Sequence, residues 1–172
     1  AHPRVRRTFA AAWNVPEERL SPRAGLKVTE IVAEGSPVRG MFIMGENPIV
    51  SDPDVSHAEA WFRGLDFLAV QDLFLTETAR FADVVLPGAS FAEKDGTFVN
   101  TERRIQLSRK ALDPPGDARG DLEIIIELSN RLGLPTPFRE AAGVMEEIAR
   151  VTPSWRGVTH SRLDGAGLQY PV

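Results

Sequence analysis

An α/β fold with a mainly parallel sheet is what this 172-residue sequence predicts, on three observations. Three short apolar runs, 38–44, 65–71 and 83–86, each stop on polar or turn-forming residues. They read as strands covered on both faces, as parallel strands are. Stretches with helical apolar spacing lie between them, and the first strand, helix and strand fit the ~30 residues of a crossover unit. The length and a hydrophobic content of 42% allow one compact core.

Taken in order, Arg4 to Trp13 places Val5, Phe9 and Trp13 at helical spacing before Asn14 and Pro16 interrupt it. A second helix is expected from Leu26 to Glu34, ended by Gly35 and Pro37. The strand Val38–Met44 stops at Gly45-Glu46-Asn47-Pro48. Asp52-Pro53 reads as the next helix start, with aspartate as cap and proline in the first turn, where no N–H is needed. Val55, Ala58, Trp61, Phe62 and Leu65 mark that helix's inner face, and Leu65–Gln71 returns as a strand. Thr76 can cap a short helix through Ala79 and Phe81, followed by the strand Asp83–Leu86. Phe91–Gln106, with the turn dipeptide Asp95-Gly96, reads as an irregular excursion. After Pro114-Pro115-Gly116, Asp121 is expected to cap a helix that buries Leu122, Ile125, Leu128 and Leu132. A last amphipathic helix covers Glu140–Arg150. The expected architecture is a Rossmann-like three-layer α/β/α domain over 1–150, with 151–172 an irregular C-terminal extension at the surface.

Composition removes several chemistries. Zero cysteines exclude a disulfide framework, a thiolate nucleophile and a cluster held by this chain's own thiolates. His2, His57 and His160 lie far apart and show no ligand spacing. A net charge of -4, with the basic residues scattered, gives no footprint for nucleic acid. No apolar run approaches the ~20 residues of a membrane span, and no secretory leader is legible, so membrane insertion is not expected and a cytoplasmic location is. The sequence opens without methionine, consistent with a piece of a longer protein.

Ligands of an open parallel sheet gather at the carboxyl ends of its strands. Three segments qualify: Gly45-Glu46-Asn47-Pro48, Gln71-Asp72, and Pro87–Ser90 leading into Glu93-Lys94-Asp95-Gly96. Gly45 would let a phosphate approach backbone amides, and a carboxylate such as Asp72 could accept from a ribose or a base. Each residue also has a plainer reading, Gly45 as a turn former, Asp121 as a helix cap and Lys94 as solvated loop charge. No complete Gly-x-Gly-x-x-Gly or Walker loop is present.

Ile43-Met44-Gly45-Glu46-Asn47-Pro48, Val70-Gln71-Asp72 with Thr76-Glu77-Thr78-Ala79, Ala82-Asp83-Val84-Val85-Leu86-Pro87 and Phe91–Arg104 stand in an order and spacing that resemble the molybdopterin oxidoreductase family. The likeness is strongest to its formate dehydrogenase alpha subunits and runs from about Ala24 to Pro135. It implies one domain of a larger enzyme, holding the nucleotide end of a bis-molybdopterin guanine dinucleotide that carries molybdenum or tungsten. The metal ligand and an iron–sulfur cluster would lie in domains absent from this chain, and its partners would be those domains and electron-transfer subunits. The family's cofactor contacts map onto Gly45, Asn47, Ser51, Gln71, Asp72, Lys94 and Asp121. The full enzyme would oxidise formate to carbon dioxide by two electrons, and the chain alone would be inactive. Alternatives are a nitrate reductase or NADH dehydrogenase large subunit of the same family, and a stand-alone nucleotide-binding module.

Overall fold

The computed structural model describes residues 2–52 and 54–172. The elements in chain order are helices α1 (Pro3–Trp13) and α2 (Val28–Ile31), strand β1 (Gly40–Met44), helices α3 (Pro48–Ser51) and α4 (Val55–Arg63), and strands β2 (Phe67–Asp72), β3 (Val84–Pro87), β4 (Gly96–Val99) and β5 (Arg104–Ser108). Helices α5 (Asp121–Arg131), α6 (Ala141–Val151) and α7 (His160–Leu163) and strand β6 (Leu168–Gln169) complete it. The chain divides into two compact units, one of residues 27–95 and 109–137, the other of 1–26, 96–108 and 138–172.

The first of these units contains the parallel sheet, in the order β1-β2-β3. Gly40 pairs with Phe67 and Met44 with Gln71, while Ala69 pairs with Val84 and Asp72 with Pro87. The fold is therefore α/β with a parallel three-stranded sheet, as the apolar runs predict. Only the central strand is covered throughout its middle, at Leu68, Ala69, Val70 and Gln71. The outer strands leave Phe42, Val84 and Val85 exposed, which corrects the expectation of three fully covered strands. Ile43, Ile49, Ala58, Phe62, Leu68, Val70 and Ala79 form the core, with Trp61 and Phe81 packed against it. Asp54, not Asp52, caps α4 by accepting the His57 N–H at 3.0 Å, and the expected role of Pro53 falls outside the described residues. Helix α2 is only one turn long: β-branched Val28, Thr29, Ile31 and Val32 crowd a helix, and Val28 is largely exposed. Helix α5 buries Ile124 and exposes Ile125 and Leu132, a rotation of the expected face. Its cap position is Gly120, so Asp121 stands inside the first turn with its side chain free for other work.

The expected excursion at 91–106 begins with a 3-10 turn at Phe91–Glu93, in the parallel-sheet unit, and continues in the other unit as a regular antiparallel hairpin, β4 with β5. The reversal is at Asn100–Arg103 rather than Asp95-Gly96. Asn100 supplies the turn chemistry: its side chain accepts the Arg104 N–H at 2.9 Å, while Arg103 takes a left-handed φ of 64°. The stretch expected to be an irregular extension after 150 instead carries α7 and β6, and β6 extends the sheet beside β5. Its Val158 and Leu163 pack with Ile105 and Met145 in a second core. Gly167, at φ 73°, immediately precedes β6, where a side chain would collide with the Ile105 carbonyl oxygen.

Candidate functional site

At the carboxyl ends of β1, β2 and β3 lies a cleft of about 350 Å³, floored by Gly45, Gln71, Asp72 and Gly88 and walled by Leu73, Phe91, Lys94 and Asp121. Backbone geometry assembles it. The Gly45 N–H donates to the Gln71 carbonyl at 2.9 Å and extends the ladder by one residue, after which a φ of 63° turns the chain away, a conformation glycine adopts without strain. Gly88 and Arg119 form a parallel bridge, with the Ala89 N–H donating to the Arg119 carbonyl at 2.9 Å. That bridge carries Gly120 and Asp121 from a distant part of the sequence to the cleft wall.

Three polar side chains converge there. Gln71 is 1% exposed and its Nε2 donates to Asp121 Oδ1 at 2.6 Å. Lys94 Nζ donates to the other Asp121 oxygen and to the Ala89 carbonyl, the latter at 2.9 Å. Gln71 Oε1 is buried without a hydrogen-bond partner. A buried acceptor left unpaired costs ~1–3 kcal/mol. Asp72 takes the Leu73 N–H at 2.6 Å and is only partly buried at the cleft edge. The cleft therefore offers acceptors from Gln71 and Asp72 beside a single cation, a set suited to a polar ligand with adjacent donors and an anionic tail.

Of the residues expected at this site, the structure brings together Gly45, Gln71, Asp72, Lys94 and Asp121, and leaves out Asn47 and Ser51. Asn47 is hydrogen-bonded within the chain. Its Oδ1 accepts from Thr78 N at 3.1 Å and from Thr78 Oγ1 at 2.7 Å, and its Nδ2 donates to Glu77 at 2.8 Å. The Asn47 amide is the main reason the Glu77 carboxyl is held below its ordinary value of 4.5, followed by the residue's own backbone N–H and the Arg80 charge. Ser51 ends α3 and is exposed. Sequence reasoning overlooked Leu73 and Phe91 as cleft walls; being next to the strand ends was the available signal. A larger cavity of about 530 Å³ lies between residues 32–39 and α4, where His57 Nε2 meets the Val32 carbonyl at 2.7 Å. Its charged lining is the exposed Arg39–Asp66 ion pair and Glu34, and it holds no unpaired buried polar atom, so the smaller cleft is the stronger candidate. Among the described residues, no group of three or more His, Cys, Asp or Glu side chains could hold a metal ion, and no helix is long and apolar enough to cross a membrane.

Comparison with known proteins gives this cleft a context. The chain is 53% identical over 155 residues to the F420-dependent formate dehydrogenase subunit alpha of Methanocaldococcus jannaschii, covering 88% of this chain and 23% of that protein. It is 42% identical over 172 residues to a putative formate dehydrogenase of Staphylococcus aureus, covering 98% of this chain and 17% of that one. Among solved structures, it superposes on acetylene hydratase from Pelobacter acetylenicus with a TM-score of 0.59 at 25% identity, over 78% of this chain and 18% of the other. The chain thus spans less than a quarter of each of these proteins. The family model for molybdopterin oxidoreductases matches residues 7–131, a span that contains every residue of the cleft. With its cleft inside that match and relatives at this identity, the chain belongs to the molybdopterin oxidoreductase family, whose cofactor is a molybdopterin.

Proposed function

We propose that this chain is the part of a formate dehydrogenase that holds the guanine nucleotide end of a bis-molybdopterin guanine dinucleotide. The observation that carries the reading is the unpaired buried Gln71 Oε1 in a cleft it shares with Asp72, Lys94 and Asp121. The residues fit the group. Guanine presents two adjacent donors, N1–H and the exocyclic amine, and Gln71 and Asp72, which both line the cleft, each carry a side-chain acceptor. Lys94 supplies the positive charge a diphosphate requires, and the Gly45 turn lets the ligand approach the backbone. When bound, the molybdenum or tungsten cofactor supplies the chemistry that removes two electrons from formate. This chain's residues bind and orient its distal end, where each charge-assisted contact contributes ~1.5–3 kcal/mol.

The names carried by the relatives support formate as the substrate class. On this reading, the metal ligand and the iron–sulfur cluster belong to other domains, and electron-transfer subunits are the partners, in the cytoplasm. The test is Asp121→Ala in the complete enzyme, with released guanine nucleotide quantified after acid denaturation. Retention at least about tenfold lower is expected from the loss of charge-assisted contacts, with formate-dependent dye reduction falling in parallel. Full cofactor content in a folded Asp121→Ala enzyme would refute the assignment.

A further inference from the structure

We infer that the open face of the parallel sheet is the seat of an amphipathic helix of the same polypeptide, contributed from outside these 172 residues. Alternate side chains of a strand take opposite faces of the sheet. Ile43 and Val70 pair in register and, with Leu68, point into the core formed with α3 and α4. The opposite face carries Phe42, Ala69 and Val84 in one row across the three strands, with Phe67 two residues earlier on β2. Phe42 is 44%, Phe67 50% and Val84 41% exposed, whereas Ala69 between them is 9% exposed. Larger apolar side chains on either side of a methyl group make a trough. Helix α5 lies beside β3 on this face, where its Ile124 and Leu128 share a groove of about 320 Å³ with Leu86. The rings of Phe42 and Phe67, on the far strands, stay uncovered.

Parallel sheets occur with both faces covered, and a contiguous apolar patch on a soluble protein marks a contact surface. From Gly40 to Leu86 this face presents no charged side chain, so nothing in it suits lasting exposure to water. That favours a permanent cover within one polypeptide over a second copy or a separate subunit, either of which would leave the face bare until assembly. The chain spans 23% and 17% of two of its relatives, so most of a polypeptide of that size lies outside it and can supply the cover. A helix fits because strands join a sheet at its edges, whereas the face of a parallel sheet takes the apolar stripe of a helix. The inference rests on the reading of this chain as part of a larger enzyme and not on the nucleotide assignment.

The experiment uses the complete enzyme. Hydroxyl-radical footprinting of the unaltered protein reads ring exposure directly: Phe42 and Phe67 are expected to lose reactivity to the level of Phe62, which is 3% exposed. The photocrosslinker p-benzoylphenylalanine, incorporated in place of Phe42 or Phe67, then identifies the occupant by mass spectrometry of the joined peptides. The expected crosslink runs at the mobility of a single polypeptide on a denaturing gel. It joins this face to a peptide outside residues 1–172 that has apolar residues at three- and four-residue spacing. Oxidation of Phe42 or Phe67 faster than Phe62 overturns the inference without requiring any variant to fold. So does a crosslink confined to residues 1–172, one to a second copy or another subunit, one to a peptide without helical spacing, or none at all. Neither readout depends on bound cofactor, so failure of the nucleotide assignment leaves the result standing. A purified polypeptide with an intact mass of 18.9 kDa would instead overturn the larger-enzyme reading, and this inference with it.

Discussion

Replacing Asn47 by alanine removes the bracket that joins the loop after β1 to the turn after β2, and the structure sets the size of the effect. Thr78 is 0% exposed, and two of its donors, N–H and Oγ1–H, end on Asn47 Oδ1. Each buried donor stripped of its acceptor costs ~1–3 kcal/mol. Asn47 itself is half-buried, so water reaches part of the gap and the lower half of that range applies, giving about 2–4 kcal/mol for the pair. The bond to exposed Glu77 adds little. The assay is urea unfolding followed by the fluorescence of Trp61, in a background with Trp13 and Trp155 changed to phenylalanine. A double-mutant cycle with Thr78→Val should show coupling of at least about 1 kcal/mol, because each change orphans the other's partner. A cost below about 0.5 kcal/mol, or strict additivity, would refute the bracket. Loss of bound guanine nucleotide with stability unchanged would instead return Asn47 to the ligand contacts implied by the family resemblance.

The same bracket predicts a pH signature. The folded Glu77 carboxyl titrates below its ordinary value of 4.5, so its contribution to stability is complete above that value and fades as pH falls through the lower folded one. The stability gap between the original chain and Asn47→Ala should therefore narrow slightly as pH falls below 4.5, read from urea midpoints; a gap that widens on acidification would contradict it. Gly167→Ala forces a side chain against the Ile105 carbonyl at a left-handed backbone position. It should destabilise the unit containing β5 and β6 by more than ~2 kcal/mol, and hydrogen exchange should accelerate at the Tyr170 amide, which donates to the Arg103 carbonyl at 2.9 Å.

The parallel sheet was legible because its apolar runs are bounded by Gly45, by Gln71-Asp72 and by Pro87-Gly88, and no other element competes for them. The antiparallel hairpin was not, since Thr97, Asn100 and Gln106 dilute the alternation and only Asn100's side-chain bond to Arg104 N–H marks the reversal. The last elements, α7 and β6, are too short for periodicity to register and exist through packing on Ile105 and Met145. At the cleft, strand ends announced Gly45, Gln71, Asp72 and Lys94. Asp121 looked like a cap because Gly120, which takes that position, carries no side chain to advertise it. Asn47 sits in the same loop as Gly45, and nothing local in the sequence reveals that Thr78 claims its amide.

The two units are interleaved along the chain, and this imposes an order on synthesis. Every residue of the parallel-sheet unit emerges from the ribosome before 138–172 do, so that unit can close first. The hairpin of 96–108 emerges earlier than α6, α7 and β6, and until they arrive Ile105 has no core and β5 has an open edge. During that interval the nascent polypeptide displays a sticky ribbon, which a chaperone would protect from coalescing with neighbouring chains.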